Sequence, residues 1–510
     1  MNLSDNLIKE ILDVISHPRK RNLSYNFAAI DVDILGNMYE NYLAYIQNRN
    51  NLSGGKSHKK EQGIYYTPKF IVDYIIRNTL GVLLKTLPLK KVKDLKIIDP
   101  ACGSGSFLIS SIYLLDDYYK NHIEDYKSYS PSQKLMLIKN NIYGVDLDEK
   151  AVEITKLNIY LTILSLSEQT EIVSYSDLLP ELRSNIKVAD SLMSDWDKLF
   201  PNIKFDAIVM NPPYIGEKGH KELFRKLRTG PLRDFYEGKM DIFYFFIHLA
   251  INLCRNGGLI GFITTDYYTT ATGGTKLRTN IKNKTSVVQI IDFNEFKVFK
   301  SALGQHNMIT ILTKTKNYNK PAKVIIVKKK GYATLDSFYN IINGNDKETE
   351  YKDINQNNLF EGFDNQIRLL GSSTSDHESK LEGIFQKMLK DSKRLVDICN
   401  VNQGIISGAD KVTKKHLSKY KLNSKLGEGI FVLSNKEIND LKLSKSDSEI
   451  LKPWFKNSDI HKWVTVNKAK EKIIYADKKK NNLEENKIKD HLMKFINILD
   501  ASSSNSPYLH

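Results

Sequence analysis

Four consecutive residues, Asn211-Pro212-Pro213-Tyr214, carry the densest chemistry in this 510-residue chain. They close an apolar run, Phe205-Asp206-Ala207-Ile208-Val209-Met210, that reads as a buried strand. Each proline fixes its own φ near about −65° and donates no N–H. A residue that precedes a proline is kept out of helical geometry. The Asn211 side-chain oxygen and the Pro212 carbonyl then converge as two fixed acceptors, suited to the two hydrogens of a planar amino group. Tyr214 offers an aromatic face on which a flat base can stack. A strand closed by a proline-rich turn, with no chemistry attached, accounts for the same four residues.

A second constellation lies upstream. The short β-like run Leu95-Lys96-Ile97-Ile98 leads into Asp99-Pro100-Ala101-Cys102-Gly103-Ser104-Gly105-Ser106, and an apolar helical pattern begins at Phe107. Small residues let the backbone approach a ligand, and α/β sheets bind nucleotides at strand-to-helix turns of this kind. A further strand, Asn141-Ile142-Tyr143-Gly144-Val145-Asp146, ends in an acid placed to bond ribose hydroxyls. Asp99 and Asp146 stand farther apart than the roughly 20 residues of the usual fingerprint, which predicts an insertion around residues 117–137. An ordinary α/β turn is the competing reading for the glycine-rich segment.

The elements around these motifs alternate. Strand LKIID, helix SFLISSIYLLDDYY, strand IYGVDL, helix EKAVEITKLNIYLTIL, a short strand near IKVAD and strand FDAIVM come first. Helix DIFYFFIHLAINLC, strand LIGFIT, a helix around GTKLRTNI and strands VVQIIDF and MITILTK follow. Such alternation predicts an α/β, doubly wound, mostly parallel sheet, with the last two strands as an antiparallel pair at one edge. Residues 1–62 read as an N-terminal helical segment and 63–330 as the catalytic domain. The polar stretch 331–390 reads as a linker or irregular segment, and 391–510 as a separate C-terminal unit.

The motif order resembles that of γ-class S-adenosylmethionine-dependent DNA adenine-N6 methyltransferases, in particular the methylase part of type IIG restriction-modification enzymes. The resemblance runs from about residue 25 to the end. It implies a seven-stranded type of methyltransferase sheet and S-adenosylmethionine as cofactor, with no metal needed for methyl transfer. Tyr66, Thr67 and Pro68 resemble the segment that packs over the methionine end of that cofactor. Asp99, Ala101, Cys102, Gly103, Gly105 and Phe107 resemble its loop, and Asp146 the ribose-binding strand end. Asp190 and Ser191 resemble the segment at its adenine. Asn211, Pro212, Pro213 and Tyr214 resemble the catalytic motif; Met240-Asp241-Ile242-Phe243-Tyr244 and Gly257-Gly258-Leu259-Ile260-Gly261-Phe262-Ile263 resemble the later helix and strand. A target base must leave the duplex stack to react, and Phe299 is the expected second stacking partner, with Phe296 and His306 as rivals. Cys102 reads as a small residue of the loop and not as a nucleophile. Residues 391–510 resemble a target-recognition domain, α+β and incomplete, on the strength of Gly404 to Asp410 and of Ile450 to Lys456 with Ser458-Asp459-Ile460. Lys411, Lys414 and Lys415 are expected to be phosphate contacts or solvated charges, not base readers.

Composition agrees without deciding. Lys and Arg number 75 against 59 Asp and Glu, a net charge of +16, which favours a polyanion such as double-stranded DNA but also describes a lysine-rich soluble surface. Three scattered cysteines provide neither a disulfide framework nor a zinc site, and a reducing cytoplasm fits. The opening MNLSDNLIKEIL lacks the layout of a signal peptide, and no apolar run reaches the length of a membrane span. The same tetrapeptide serves methylases of protein glutamine or RNA bases; a small glutamine-methylating enzyme would not need the long basic C-terminal unit, and the recognition-like motifs there favour DNA. The same motifs also suit a DNA-binding specificity module with weak catalysis, or the methylase portion of a bifunctional restriction enzyme. A separate nuclease or defence-system subunit is an expected partner, since a nuclease constellation is not evident.

Overall fold

The computed structural model describes residues 67–167, 180–299, 306–315 and 318–369, and then 384, 387–388, 392–393, 395–400, 405, 409–420, 423–461, 464–465, 468–475 and 487–502. The N-terminal segment 1–62, Tyr66 and most of Gly404 to Gly408 lie outside them. Residues up to Lys387 belong to one compact unit and those from Met388 to a second.

The first unit is built on a nine-stranded sheet. Its strands are β1 (Ile97–Asp99), β2 (Ile142–Asp146), β3 (Ile186–Val188), β4 (Phe205–Met210), β5 (Cys254–Thr265), β6 (Ser286–Asp292), β7 (Asn307–Thr313), β8 (Ala322–Val327) and β9 (Thr349–Ile354). They lie in the order β9-β8-β6-β7-β5-β4-β1-β2-β3. From β3 to β5 every neighbouring pair is parallel. β7 runs antiparallel to both β5 and β6, and β9 antiparallel to β8. The central strands β1, β2 and β4 are near-continuous apolar runs because both faces of a parallel sheet are covered by helices; β4 buries every residue but Asp206.

Helices α1 (Lys69–Asn78), α2 (Leu80–Thr86), α3 (Ser106–His122), α4 (Pro131–Lys139) and α5 (Glu149–Ser165) attend the β1–β3 half of the chain. α6 (Ile242–Leu253) and α7 (Thr275–Lys284) follow β4 and β5. Right-handed crossovers put helices on opposite faces when the direction of winding reverses, as it does between β1 and β4. α6 buries all of its residues except Asn252, which makes it the middle of the core.

The predicted insertion is α4 with the turn before it. Ser130 and Gln133 form a reciprocal capping box at its start. The helix is fixed from below by the fully buried Lys134, whose Nζ donates to the Leu166 carbonyl at 2.6 Å and lies 3.6 Å from Asp116. The Tyr126 hydroxyl donates to the same carboxylate at 3.0 Å, so the buried charges are paired and bonded as burial requires.

Two expectations give way. The VVQIIDF and MITILTK strands do form an antiparallel pair, but in the interior of the sheet, because β8 pairs in parallel with β6 and β9 follows it. The stretch expected to be irregular from residue 331 holds helix α8 (Leu335–Ile342) and edge strand β9. Its few apolar residues are well placed: Phe338, Ile341 and Ile354 are buried, and the Phe338 ring lies 5.3 Å from Phe70 and from Tyr74.

The second unit is α+β. A three-stranded antiparallel sheet orders β10 (Val432–Ser434), β12 (Glu471–Ile474) and β11 (Leu451–Trp454) with β12 in the centre. Ile430, Val432, Leu433, Ile473, Ile488, Leu492 and Phe495 form its core.

Candidate active site

The carboxyl ends of β1 and β4 lie side by side, Ile98 opposite Ile208. After β1 the chain winds outward to β2 and β3; it then returns to β4 on the far side of β1. Such a reversal opens a crevice beyond the carboxyl ends of the strands. Residues 100–105 leave β1 into it, and Asn211 to Tyr214 leave β4 into it.

The β1 loop is held residue by residue. Asp99 Oδ1 accepts the Ala101 N–H at 2.9 Å and shapes the first turn. The Cys102 N–H donates to the Val145 carbonyl at 3.0 Å, and the Gly103 N–H to Asp146 Oδ2 at 2.9 Å. The other Asp146 oxygen accepts from the Asp148 N–H at 2.9 Å. Gly103 and Gly105 sit at φ 53° and 89°, where a side chain is strained. A Cβ on Gly105 would also lie 2.9 Å from Thr155 Cγ2. Thr155 Oγ1 donates to the Gly103 carbonyl at 2.7 Å, Asn158 Nδ2 to the Ser104 carbonyl at 3.0 Å, and Ser191 Oγ to the Pro100 carbonyl at 2.6 Å. These three donors hold the loop's carbonyls from beneath and leave its small residues at the rim.

Burial raises the acids here. It pushes the Asp99 carboxyl up to about 8, against the Ala101 N–H and with the Asp146 charge adding to the rise. It raises Asp146 too, opposed by the Asp148 and Gly103 N–H groups. The Cys102 thiol is pushed well up by burial and by the charges of Asp146 and Asp99, which leaves it protonated and inert.

On the β4 side, Asn211 is held at both ends. Its Nδ2 donates to Thr67 Oγ1 at 2.9 Å, and its Oδ1 accepts from the Tyr214 hydroxyl at 2.7 Å. That hydroxyl also lies 3.1 Å from the Ile263 carbonyl on β5. The Tyr214 ring is 7% exposed and edge-on to Phe243 at 5.9 Å. Downstream, Asp241 Oδ1 accepts the Ile215 N–H at 2.9 Å while capping α6. Burial pushes this carboxyl up to about 7.

Thus the structure brings Thr67, the Asp99–Gly105 loop, Asp146, Ser191 and Asn211 to Tyr214 to the same ends of the sheet. Pro68, Ala101, Gly103, Asp146, Asp190, Asn211 and Pro213 are partly exposed there. Thr67, Ser191 and Asp190 direct side-chain atoms at the protein itself; Asp190 Oδ1 accepts the Leu192 N–H at 3.0 Å. Phe107 packs in the core of α3. Phe299 is buried, as is Phe296, whose ring carries Lys329 Nζ at 4.9 Å. His306 is half-exposed, 3.8 Å from Asp266. In the second unit Lys411 and Lys456 both pair with Glu471, while Lys414 and Lys415 are exposed.

Sequence reasoning missed Thr155, Asn158 and Asp241 as supports. Thr155 and Asn158 are three apart on one face of α5, and the polar residues Thr155, Asn158 and Thr162 among the apolar ones of its buried side were the available signal.

A doubly wound sheet whose strands β1 to β7 lie in the order 3-2-1-4-5-7-6 with β7 reversed, a glycine loop after β1 and an acid closing β2, is the class I S-adenosylmethionine-dependent methyltransferase fold. A family model described as an RMKL-like methyltransferase domain matches residues 76–196, and one described as Eco57I restriction-modification methylase matches residues 140–299. The chain is similar to type II restriction-modification methyltransferases. It is 26% identical over 447 residues to the type II restriction enzyme and methyltransferase RM.Eco57I of Escherichia coli, covering 80% of this chain and 42% of that protein. It is 26% identical over 360 residues to the type II methyltransferase M.BstVI of Geobacillus stearothermophilus, covering 69% and 59%. In both cases the chain spans less than two thirds of the relative. Among solved structures, the type IIG restriction endonuclease BpuSI aligns over 89% of this chain and 48% of its own, at 15% identity and a TM-score of 0.43. No helix among the described residues is long and apolar enough to cross a membrane.

Proposed function

We propose that the chain is a site-specific DNA methyltransferase that moves a methyl group from S-adenosylmethionine to the N6 amino group of a flipped adenine, within a restriction-modification or related phage-defence system. The observation that carries this reading is the Asn211 amide, clamped by two hydroxyls at the carboxyl end of β4, beside the glycine loop of β1.

The loop fits the cofactor it is assigned. Two glycines at positive φ and the partly exposed Ala101, Gly103 and Asp146 leave a surface with no bulky side chain and one carboxylate at its edge. Asp146 takes the ribose hydroxyls with the lone pairs its two backbone contacts leave open. Asp99, Ala101, Cys102 and Gly105 shape the loop, and Thr67, Pro68, Asp190 and Ser191 line its ends. When bound, S-adenosylmethionine supplies a methyl carbon on a positively charged sulfur.

Adenine's amino nitrogen is a poor nucleophile because its lone pair is spread into the ring. Asn211 Oδ1 and the Pro212 carbonyl accept its two hydrogens and favour a pyramidal nitrogen with the lone pair turned to the methyl carbon. Positive charge grows on that nitrogen as the bond to carbon forms and the bond to sulfur breaks, so the two acceptors bind the transition state more tightly than the ground state. The nitrogen then releases one proton to solvent. Tyr214 stacks on the flipped base, which requires base entry to uncover a ring now almost fully buried, and Phe299 is the second stacking partner. Double-stranded DNA is the substrate, and residues 391–510 read its sequence. The Escherichia coli relative is a restriction enzyme as well as a methyltransferase; a nuclease acting with this chain is part of the proposal.

Expression in a host that lacks adenine methylation, with methyladenine mapped by position across the genome, tests the reading. Methyladenine at one recurring sequence, abolished by Asn211→Ala while the variant still binds S-adenosylmethionine, is the expected result. Methyl groups on cytosine, or undiminished methylation by Asn211→Ala, would overturn it.

A further inference from the structure

We propose that Thr67 is a positioning residue for the reaction, acting through the Asn211 amide. The inference rests on the adenine-methylation reading and deepens it. Thr67 is 4% exposed and its Oγ1 takes the Asn211 Nδ2–H at 2.9 Å. Its position just before α1 is fixed by that helix, whose first turn bonds to the Pro68 carbonyl through the Ile71 and Val72 N–H groups. α1 in turn is tied to α3 by Ser110 Oγ, which donates to Asp73 Oδ1 at 2.7 Å. The hydroxyl therefore stands at the start of a helix tied to α3, within reach of the residue that ends β4.

An asparagine amide has a donor end and an acceptor end of nearly the same shape, and only its oxygen can receive an N–H. A half-turn about the terminal torsion costs little by itself, since such torsions are broad and roughly two-fold. It would set an NH2 group against the amino group of the substrate, donor facing donor. Thr67 at one end and the Tyr214 hydroxyl at the other hold the amide plane in place. With Nδ2 bonded to Thr67, the oxygen stays on the Tyr214 side. A carbonyl oxygen has two lone pairs, so it can accept from Tyr214 and from the substrate together.

Thr67→Val keeps the shape and removes the hydroxyl, and Thr67→Ser keeps the hydroxyl. In steady-state methylation of unmethylated genomic DNA, Thr67→Val is expected to lower kcat by about 10- to 100-fold, the scale of a misplaced catalytic group. KM for DNA should stay within two- to three-fold of the parent and Tm within a few degrees, and Thr67→Ser should restore most of kcat. In an Asn211→Asp background both side-chain atoms are oxygen, so Thr67→Val should add almost nothing; a double-mutant cycle reads this coupling. A role confined to packing would make the two changes additive. Loss of S-adenosylmethionine affinity with kcat preserved would assign Thr67 to the cofactor and overturn the inference. So would an atomic-resolution structure with Thr67 Oγ1 out of reach of Asn211, whatever the activity. A parent protein that methylates no adenine would instead defeat the functional reading and leave that structural comparison to decide the positioning role.

Discussion

Asp146 and Gly103 are joined by a hydrogen bond of 2.9 Å, from the Gly103 N–H to Asp146 Oδ2, which fastens the end of β2 to the loop that leaves β1. The residue assigned to the ribose is therefore also a brace of the loop. Asp146→Ala removes both contributions. A hydrogen bond to a charged group is worth about 1.5–3 kcal/mol, so S-adenosylmethionine affinity should fall at least several-fold by calorimetry. Unchanged affinity would remove Asp146 from the site.

Gly105→Ala tests the loop's backbone. Holding an alanine in the left-handed region costs about 1–2 kcal/mol, and its methyl group would press on Thr155. The variant should melt several degrees lower and bind S-adenosylmethionine more weakly. Adding Thr155→Ser, which removes the pressed methyl group and keeps the hydroxyl on the Gly103 carbonyl, should recover only part of the loss, because the backbone strain stays.

The acidity of Asp99 sets a pH dependence of stability. An unfolded aspartate titrates near about 3.9, and burial moves the folded one up to about 8. Between those values the folded chain holds a proton that the unfolded chain has released. Stability contributed by this site is therefore present at low pH and falls as pH rises toward about 8. Asp241, pushed up to about 7 by burial, acts in the same sense. Asp99→Asn keeps an oxygen for the Ala101 N–H and removes the titration. The decline of Tm from pH 5 to pH 8 should become shallower in this variant, and an identical slope would show that Asp99 ionises freely in the fold.

Tyr214 separates two roles. Its hydroxyl lies on Asn211 and on the Ile263 carbonyl, a contact that the sequence reading of a stacking ring did not anticipate. Tyr214→Phe should lower turnover by about five-fold, the loss of one neutral hydrogen bond of about 1 kcal/mol. Tyr214→Ala removes the stacking face as well and should be far more severe. Equal damage from both would place the whole effect in the hydroxyl.

The strands and the two motif loops were legible because they rest on local signals: apolar runs for β1, β2 and β4, glycines where φ turns positive, prolines after Asn211. The supports of those loops were not. Thr155, Asn158 and Ser191 bond backbone carbonyls 52, 54 and 91 positions away in the chain, and nothing near them in sequence shows the partner. The length of the sheet was also hidden. TEYKDI carries only two residues that the fold buries, Thr349 and Ile354, and its strand character comes from pairing with β8 rather than from its own pattern.

That pairing sets where the protein can be cut. β8 is the apolar run Ala322-Lys323-Val324-Ile325-Ile326-Val327, buried at every position but Lys323. A chain ended at residue 330 would bare this strand along a sheet edge, with a full row of unpaired backbone groups, and such an edge recruits a second copy. β9 covers it and presents Glu350 and Asp353 instead, charged residues of the kind that blunt an edge against self-association. A catalytic fragment ended after Ile367 should stay dispersed in light scattering, whereas one ended at residue 330 should grow into aggregates.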